Sequence, residues 1–122
     1  MKIVRSILFS LGLLVTGASL AGAHAFLDSA EPAVGSTVLD SPLVVKLWFT
    51  RHLKAGPSAF QVFDATGREV DKGKVKVGAD NPTLMFVSTP KLAPGTYKVV
   101  WQAVCIDGHT THGSFAFTVA GR

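Results

Sequence analysis

The sequence has one cysteine among its 122 residues, Cys105, so the chain cannot close an internal disulfide. Small exported domains often rely on such staples; this one has to rely on an apolar core. Charged residues make up only 16% of the chain, and they form no clustered basic footprint of the kind that binds nucleic acid. Lys72, Lys74 and Lys76 do alternate, but that spacing predicts one solvated face of a strand. Beyond the N-terminal segment, no apolar run approaches the roughly 20 residues that cross a bilayer, so membrane insertion of the mature chain is not expected. Repeats, low-complexity tracts and any convincing helical periodicity are also missing. Their absence excludes a solenoid and leaves no sign of a second folded domain.

The first residues do carry a pattern. Lys2 and Arg5 precede an apolar stretch from Ile7 to Val15, and small residues then lead to Ala21-Gly22-Ala23. Charge, short apolar segment and A-x-A site in that order predict a secretory signal peptide over residues 1–23, cleaved after Ala23. The mature chain, residues 24–122, is then one extracytoplasmic domain near the low end of the usual size range. Its ten Lys and Arg face eight Asp and Glu, so it is close to neutral.

That mature segment reads as strands separated by turns. Leu43 to Thr50, Phe60 to Phe63 and Leu84 to Val87 are rich in β-branched and aromatic residues. Tyr97 to Ile106 is a long, nearly continuous apolar run, which predicts a central strand buried on both faces. Ser114 to Val119 alternates with period two and turns Phe115, Phe117 and Val119 to one side. Trp48 and Trp101 read most simply as core aromatics. Asp64-Ala65-Thr66-Gly67, Asp80-Asn81-Pro82 and Ala93-Pro94-Gly95 mark corners. About seven short strands predict an all-β fold: an immunoglobulin-like or cupredoxin-like Greek-key sandwich or barrel.

Two features suggest chemistry. Cleavage after Ala23 gives His24 a free α-amine beside its imidazole, and the two nitrogens can chelate one metal ion. Nitrogens set in a plane suit Cu(II) better than tetrahedral Zn(II). The second feature is Asp107-Gly108-His109, directly after the long strand. In an extended segment residues i and i+2 point the same way, so a D-x-H pair can offer one carboxylate oxygen and one imidazole to a single ion. For the tripeptide alone an ordinary Asp-Gly turn followed by an exposed histidine is the preferred reading, and by itself it is not diagnostic.

In combination these parts resemble the CopC copper-resistance proteins. The resemblance runs through the cleavage site before His24, Ser29-Ala30-Glu31-Pro32-Ala33-Val34-Gly35-Ser36 and Pro94-Gly95-Thr96-Tyr97-Lys98-Val99-Val100-Trp101. It continues through Asp107-Gly108-His109 and Gly113-Ser114-Phe115-Ala116-Phe117-Thr118-Val119, covering nearly the whole mature chain in order. It implies a periplasmic protein holding one Cu(II) per chain through His24 (amine and imidazole), Asp107 and His109. It also implies delivery to a CopD-like inner-membrane copper transporter, and a binding role rather than an enzymatic one.

The chain departs from the family pattern in two places. Some members carry a Met-rich Cu(I) loop, whereas the only methionine here after Met1 is Met85, within an apparent core strand. Where members commonly read Phe-Ser-Glu-Pro, this chain reads Phe49-Thr50-Arg51-His52, so Arg51 replaces a carboxylate near the copper site. His112 reads more simply as a solvated turn residue than as an axial or alternative ligand, and His52 as part of a polar loop. Cys105 reads as a small buried core residue, although a thiolate beside Asp107 would favour Cu(I). Two other classes of function share some of these features. A copper-brace oxidative enzyme also uses an N-terminal histidine, and a metal-free sandwich could serve adhesion or assembly.

Overall fold

Residues 24–121 are described by the computed structural model. The predicted signal peptide and its cleavage site after Ala23 lie outside the described residues. Eight strands follow in chain order: β1 (Leu27–Glu31), β2 (Thr37–Val38), β3 (Val44–Phe49), β4 (Ala59–Phe63), β5 (Lys76–Val77), β6 (Leu84–Ser88), β7 (Gly95–Val104) and β8 (Thr110–Val119). They form two four-stranded sheets, ordered β1-β3-β6-β5 and β2-β8-β7-β4. The arrangement is therefore a sandwich rather than a closed barrel. Pairing is antiparallel throughout except where β2 runs parallel to β8. The sequence pattern named neither β1 nor the two-residue β2, and it marked β5 only through the alternating lysines that end at Lys76. Among the described residues, no helix is long and apolar enough to cross a membrane.

Alternation along the strands builds the core. Val45, Leu47 and Phe49 of β3 and Met85 and Val87 of β6 face inward from one sheet. Val62, Tyr97, Val99, Trp101, Phe115, Phe117 and Val119 face them from the other. Each fully buried large apolar side chain contributes about 1.5–3 kcal/mol relative to exposure. Phe49 meets Trp101 edge-on across the sandwich, with ring centroids 5.1 Å apart. Beside Trp101 on β8 stands Gly113, where an added Cβ would fall 2.3 Å from the indole Cζ2. The absence of a side chain there leaves room for the indole. At the far end of β7, Tyr97 stacks on Phe117 and donates its hydroxyl to the Ala93 carbonyl.

Three expectations from the sequence need correction. First, β7 is buried on one face, not both: Tyr97, Val99, Trp101 and Ala103 point inward, while Lys98, Val100 and Gln102 point outward. In a two-layer sandwich each sheet has only one covered face. Val100 is 38% exposed, so its β-branched side chain reflects strand preference rather than burial. Second, Trp48 lies outside the core. It falls between the inward-facing Leu47 and Phe49, and its strand parity places it on the outer surface, paired with Leu84. Third, the three alternating lysines do not share a strand. Lys76 alone belongs to β5, and Lys74 has a left-handed backbone (φ 60°), though all three side chains are exposed.

Candidate metal centre

One end of the sandwich brings together the start of β1, the β7–β8 turn and the segment after β3. Ala25 is fully buried, and its carbonyl accepts a hydrogen bond from the Thr111 hydroxyl on β8 (2.5 Å). The next residue, Phe26, is held from the other sheet: its amide donates to Thr50 Oγ1 (3.0 Å), and the Thr50 amide donates back to its carbonyl (2.9 Å). These bonds tie residues 25–26 to both layers. His24, one residue before that anchor, lies over the β7–β8 turn with its ring centroid 5.0 Å from that of His109. Phe26 packs on its other side at 6.1 Å.

Asp107-Gly108-His109 is not extended, contrary to the spacing argument. Gly108 takes a left-handed conformation (φ 95°), and its amide donates to the Cys105 carbonyl (2.8 Å). The Cys105 amide donates in turn to the His109 carbonyl (3.0 Å). Turn geometry, not period two, therefore puts Asp107 beside His109. Asp107 Oδ1 accepts hydrogen bonds from the Cys105 thiol (2.6 Å) and the His109 amide (3.2 Å). Its Oδ2 lies 3.3 Å from His109 Nδ1, and both side chains are about half exposed (His109 52%, Asp107 54%). The Cys105 thiol first, and then the His109 amide, hold the Asp107 carboxyl below its ordinary value of 3.8. The group is thus an anionic acceptor at neutral pH, next to imidazole and open to solvent.

Cys105 is buried at 3% exposure, as the sequence suggested, but its sulfur is turned toward Asp107. Its backbone is fixed by the segment after β3: Leu53 bridges to Cys105, and the amides of Lys54 and Ile106 bond to Val104 and His52 carbonyls (2.7 and 3.3 Å). Ligand-type atoms of Cys105, Asp107 and His109 all lie within 4.8 Å of one another. Arg51 and His52, which the sequence places on a polar loop, line a cavity of about 530 Å³ together with Cys105 and Asp107. Nothing local in the sequence marks that wall, because its residues come from the separate segments that follow β3, precede β6 and follow β7. His112 sits elsewhere, paired with Gln102 on the outer side of the β7–β8 ribbon and bordering a different cavity.

This fold and turn can be set against known proteins. The family model described as the CopC domain matches residues 27–120. The chain belongs to the CopC family. Copper resistance protein C of Pseudomonas syringae pv. tomato is 35% identical over 119 residues, covering 92% of this chain and 91% of that protein. The crystal structure of CopC from Methylosinus trichosporium OB3b superposes with a TM-score of 0.72 at 34% identity, over 81% of this chain and 96% of that one. Copper transport protein CutJ of Bacillus subtilis is 30% identical over 98 residues, but this chain spans only 18% of that protein's length. The CopC match contains Cys105, Asp107 and His109, whereas His24 lies three residues before it begins.

Proposed function

We propose that this CopC protein is exported to the periplasm, loses residues 1–23 and binds one Cu(II) through His24, Asp107 and His109. The observation that carries the reading is the meeting of two imidazoles and a carboxylate from opposite ends of the chain, His24 against His109 and His109 against Asp107. Cleavage after Ala23 converts the His24 backbone nitrogen from a peptide nitrogen into a primary amine. The ligand set then holds three nitrogens and one carboxylate oxygen, which suits tetragonal Cu(II). The copper is cargo, and sequestration followed by delivery to a CopD-like inner-membrane transporter is the role this set supports. Half-exposed ligands at one end of a rigid sandwich favour exchange with a partner over oxygen chemistry, so the reading is of a carrier and not an enzyme.

The test begins with N-terminal sequencing of protein recovered from a periplasmic extract, where His24 is the expected first residue. Calorimetric and spin-resonance titrations of that protein should give one Cu(II) per chain with nitrogen-rich tetragonal parameters. A variant with one extra residue before His24 should bind markedly more weakly and show altered parameters. Unchanged affinity and spectra in that variant would overturn the amine ligand.

A further inference from the structure

Cys105 is left unused by the Cu(II) set, although its sulfur is one of the three ligand-type atoms clustered within 4.8 Å. Cys105 packs with the buried core, yet it also lines the cavity that borders Asp107, and its sulfur reaches the Asp107 carboxylate at 2.6 Å. His109, on the same turn, has its imidazole about half exposed beside Asp107 and His24. Thiolate is a soft ligand that selects Cu(I), whereas carboxylate oxygen suits harder ions. The other sulfur among the described residues belongs to Met85, fully buried in the core, so Cys105 is the soft donor available at this end.

We infer that the same centre also binds Cu(I), through Cys105 Sγ and the His109 imidazole. Binding forms a copper–sulfur bond and releases the thiol proton to water. The ion arrives already reduced, and no electron passes to or from the protein. Asp107, which accepts the thiol hydrogen bond in the metal-free chain, is the ligand exchanged between the two states: carboxylate for Cu(II), the neighbouring sulfur for Cu(I). The turn at Gly108 and the bridge from Leu53 fix both groups, so this exchange needs no movement of the strands. The inference rests on the copper site proposed above.

The experiment is an anaerobic Cu(I) titration of the exported protein against a bicinchoninate competitor, with copper X-ray absorption on the loaded sample. Wild type should bind one Cu(I) with a sulfur scatterer in the first coordination sphere. Cys105→Ser keeps a small side chain able to donate to Asp107. It should weaken Cu(I) binding by about tenfold or more, using the cost of lost outer partners as a lower guide, and lose less of its Cu(II) affinity than of its Cu(I) affinity. Equal Cu(I) affinity in wild type and Cys105→Ser, or absorption data with nitrogen and oxygen neighbours alone, would overturn the inference. If Cys105→Ser fails to fold, the absorption data on wild type decide the matter alone. Normal Cu(II) binding without sulfur-bound Cu(I) removes this inference and leaves the proposed function standing; failure to bind either ion removes both.

Discussion

The turn after β4 and the turn between β7 and β8 each place an aspartate just ahead of a left-handed glycine. Gly67 has φ 87° and Gly108 φ 95°, conformations that glycine adopts without the penalty a Cβ brings. Asp64 Oδ1 accepts the amide of Thr66 (2.9 Å), and Asp107 Oδ1 accepts that of His109 (3.2 Å), each two residues downstream. Both carboxyls are held below the ordinary value by the donors around them. The difference lies in where those donors come from. Asp64 is enclosed by its own turn: Thr66 gives an amide and a hydroxyl (2.6 Å), and Arg68 gives an amide (3.1 Å). Asp107 shares its oxygens with a thiol and an imidazole, and the chain's start brings a second imidazole over the same spot. One turn uses its acid to hold itself together; the other leaves its acid half exposed beside His109, with His24 over the same turn.

Neutralising each aspartate tests that contrast most severely. Asp107→Asn keeps an oxygen acceptor for the turn but removes the anionic ligand. Its Cu(II) affinity should fall by more than the roughly 10–100-fold that loss of an outer partner costs, while apo stability stays within about 0.5 kcal/mol of wild type. Asp64→Asn should leave Cu(II) affinity unchanged. Competition titration with a chelator and metal-free thermal melts measure both quantities. Similar Cu(II) affinities in the two variants would erase the distinction between the turns.

A smaller effect concerns what the turns have in common. A Cβ added at Gly67 or Gly108 meets no atom within 4 Å, so alanine at either position suffers only from the left-handed backbone. Gly67→Ala and Gly108→Ala should each cost about 1–2 kcal/mol, the usual penalty for a left-handed L-residue. Denaturant unfolding of the two metal-free variants should give similar losses. A much larger loss at Gly108 would mean that the β7–β8 turn carries more of the fold than the turn after β4.

The contrast also marks what the sequence could tell. Both turns were legible as Asp and Gly signals, and the strands on either side as apolar periods, because those are short-range features. His24, Asp107 and His109 could be named singly for the same reason. What joins them is not local. Thr50 and Thr111, from different sheets, hold the peptide that follows His24, and no spacing rule connects positions 24, 50 and 111. The cavity wall of Arg51 and His52 was invisible for the same cause. Trp48 was misread because an isolated tryptophan suggests a core, and only the parity of Leu47 and Phe49 shows which face it takes.

The smallest expected effect follows from the self-contained turn. Donors from Thr66 and Arg68 lower the Asp64 carboxyl below 3.8 in the folded chain, and the unfolded chain lacks these partners. A carboxyl whose folded value is depressed contributes stability above its unfolded value and loses that contribution as pH falls through the folded one. Asp64→Asn retains the acceptor oxygen and the turn hydrogen bonds but not the charge. Wild type should therefore melt slightly above Asp64→Asn near neutral pH, by a gap that stays constant down to about pH 5 and closes as the pH falls below 3.8. The group is exposed, so screening keeps the gap small, and added salt should narrow it further. A gap that persisted unchanged in acid would show that Asp64 acts through shape alone. The charge on its carboxylate would then have no part in holding the turn closed.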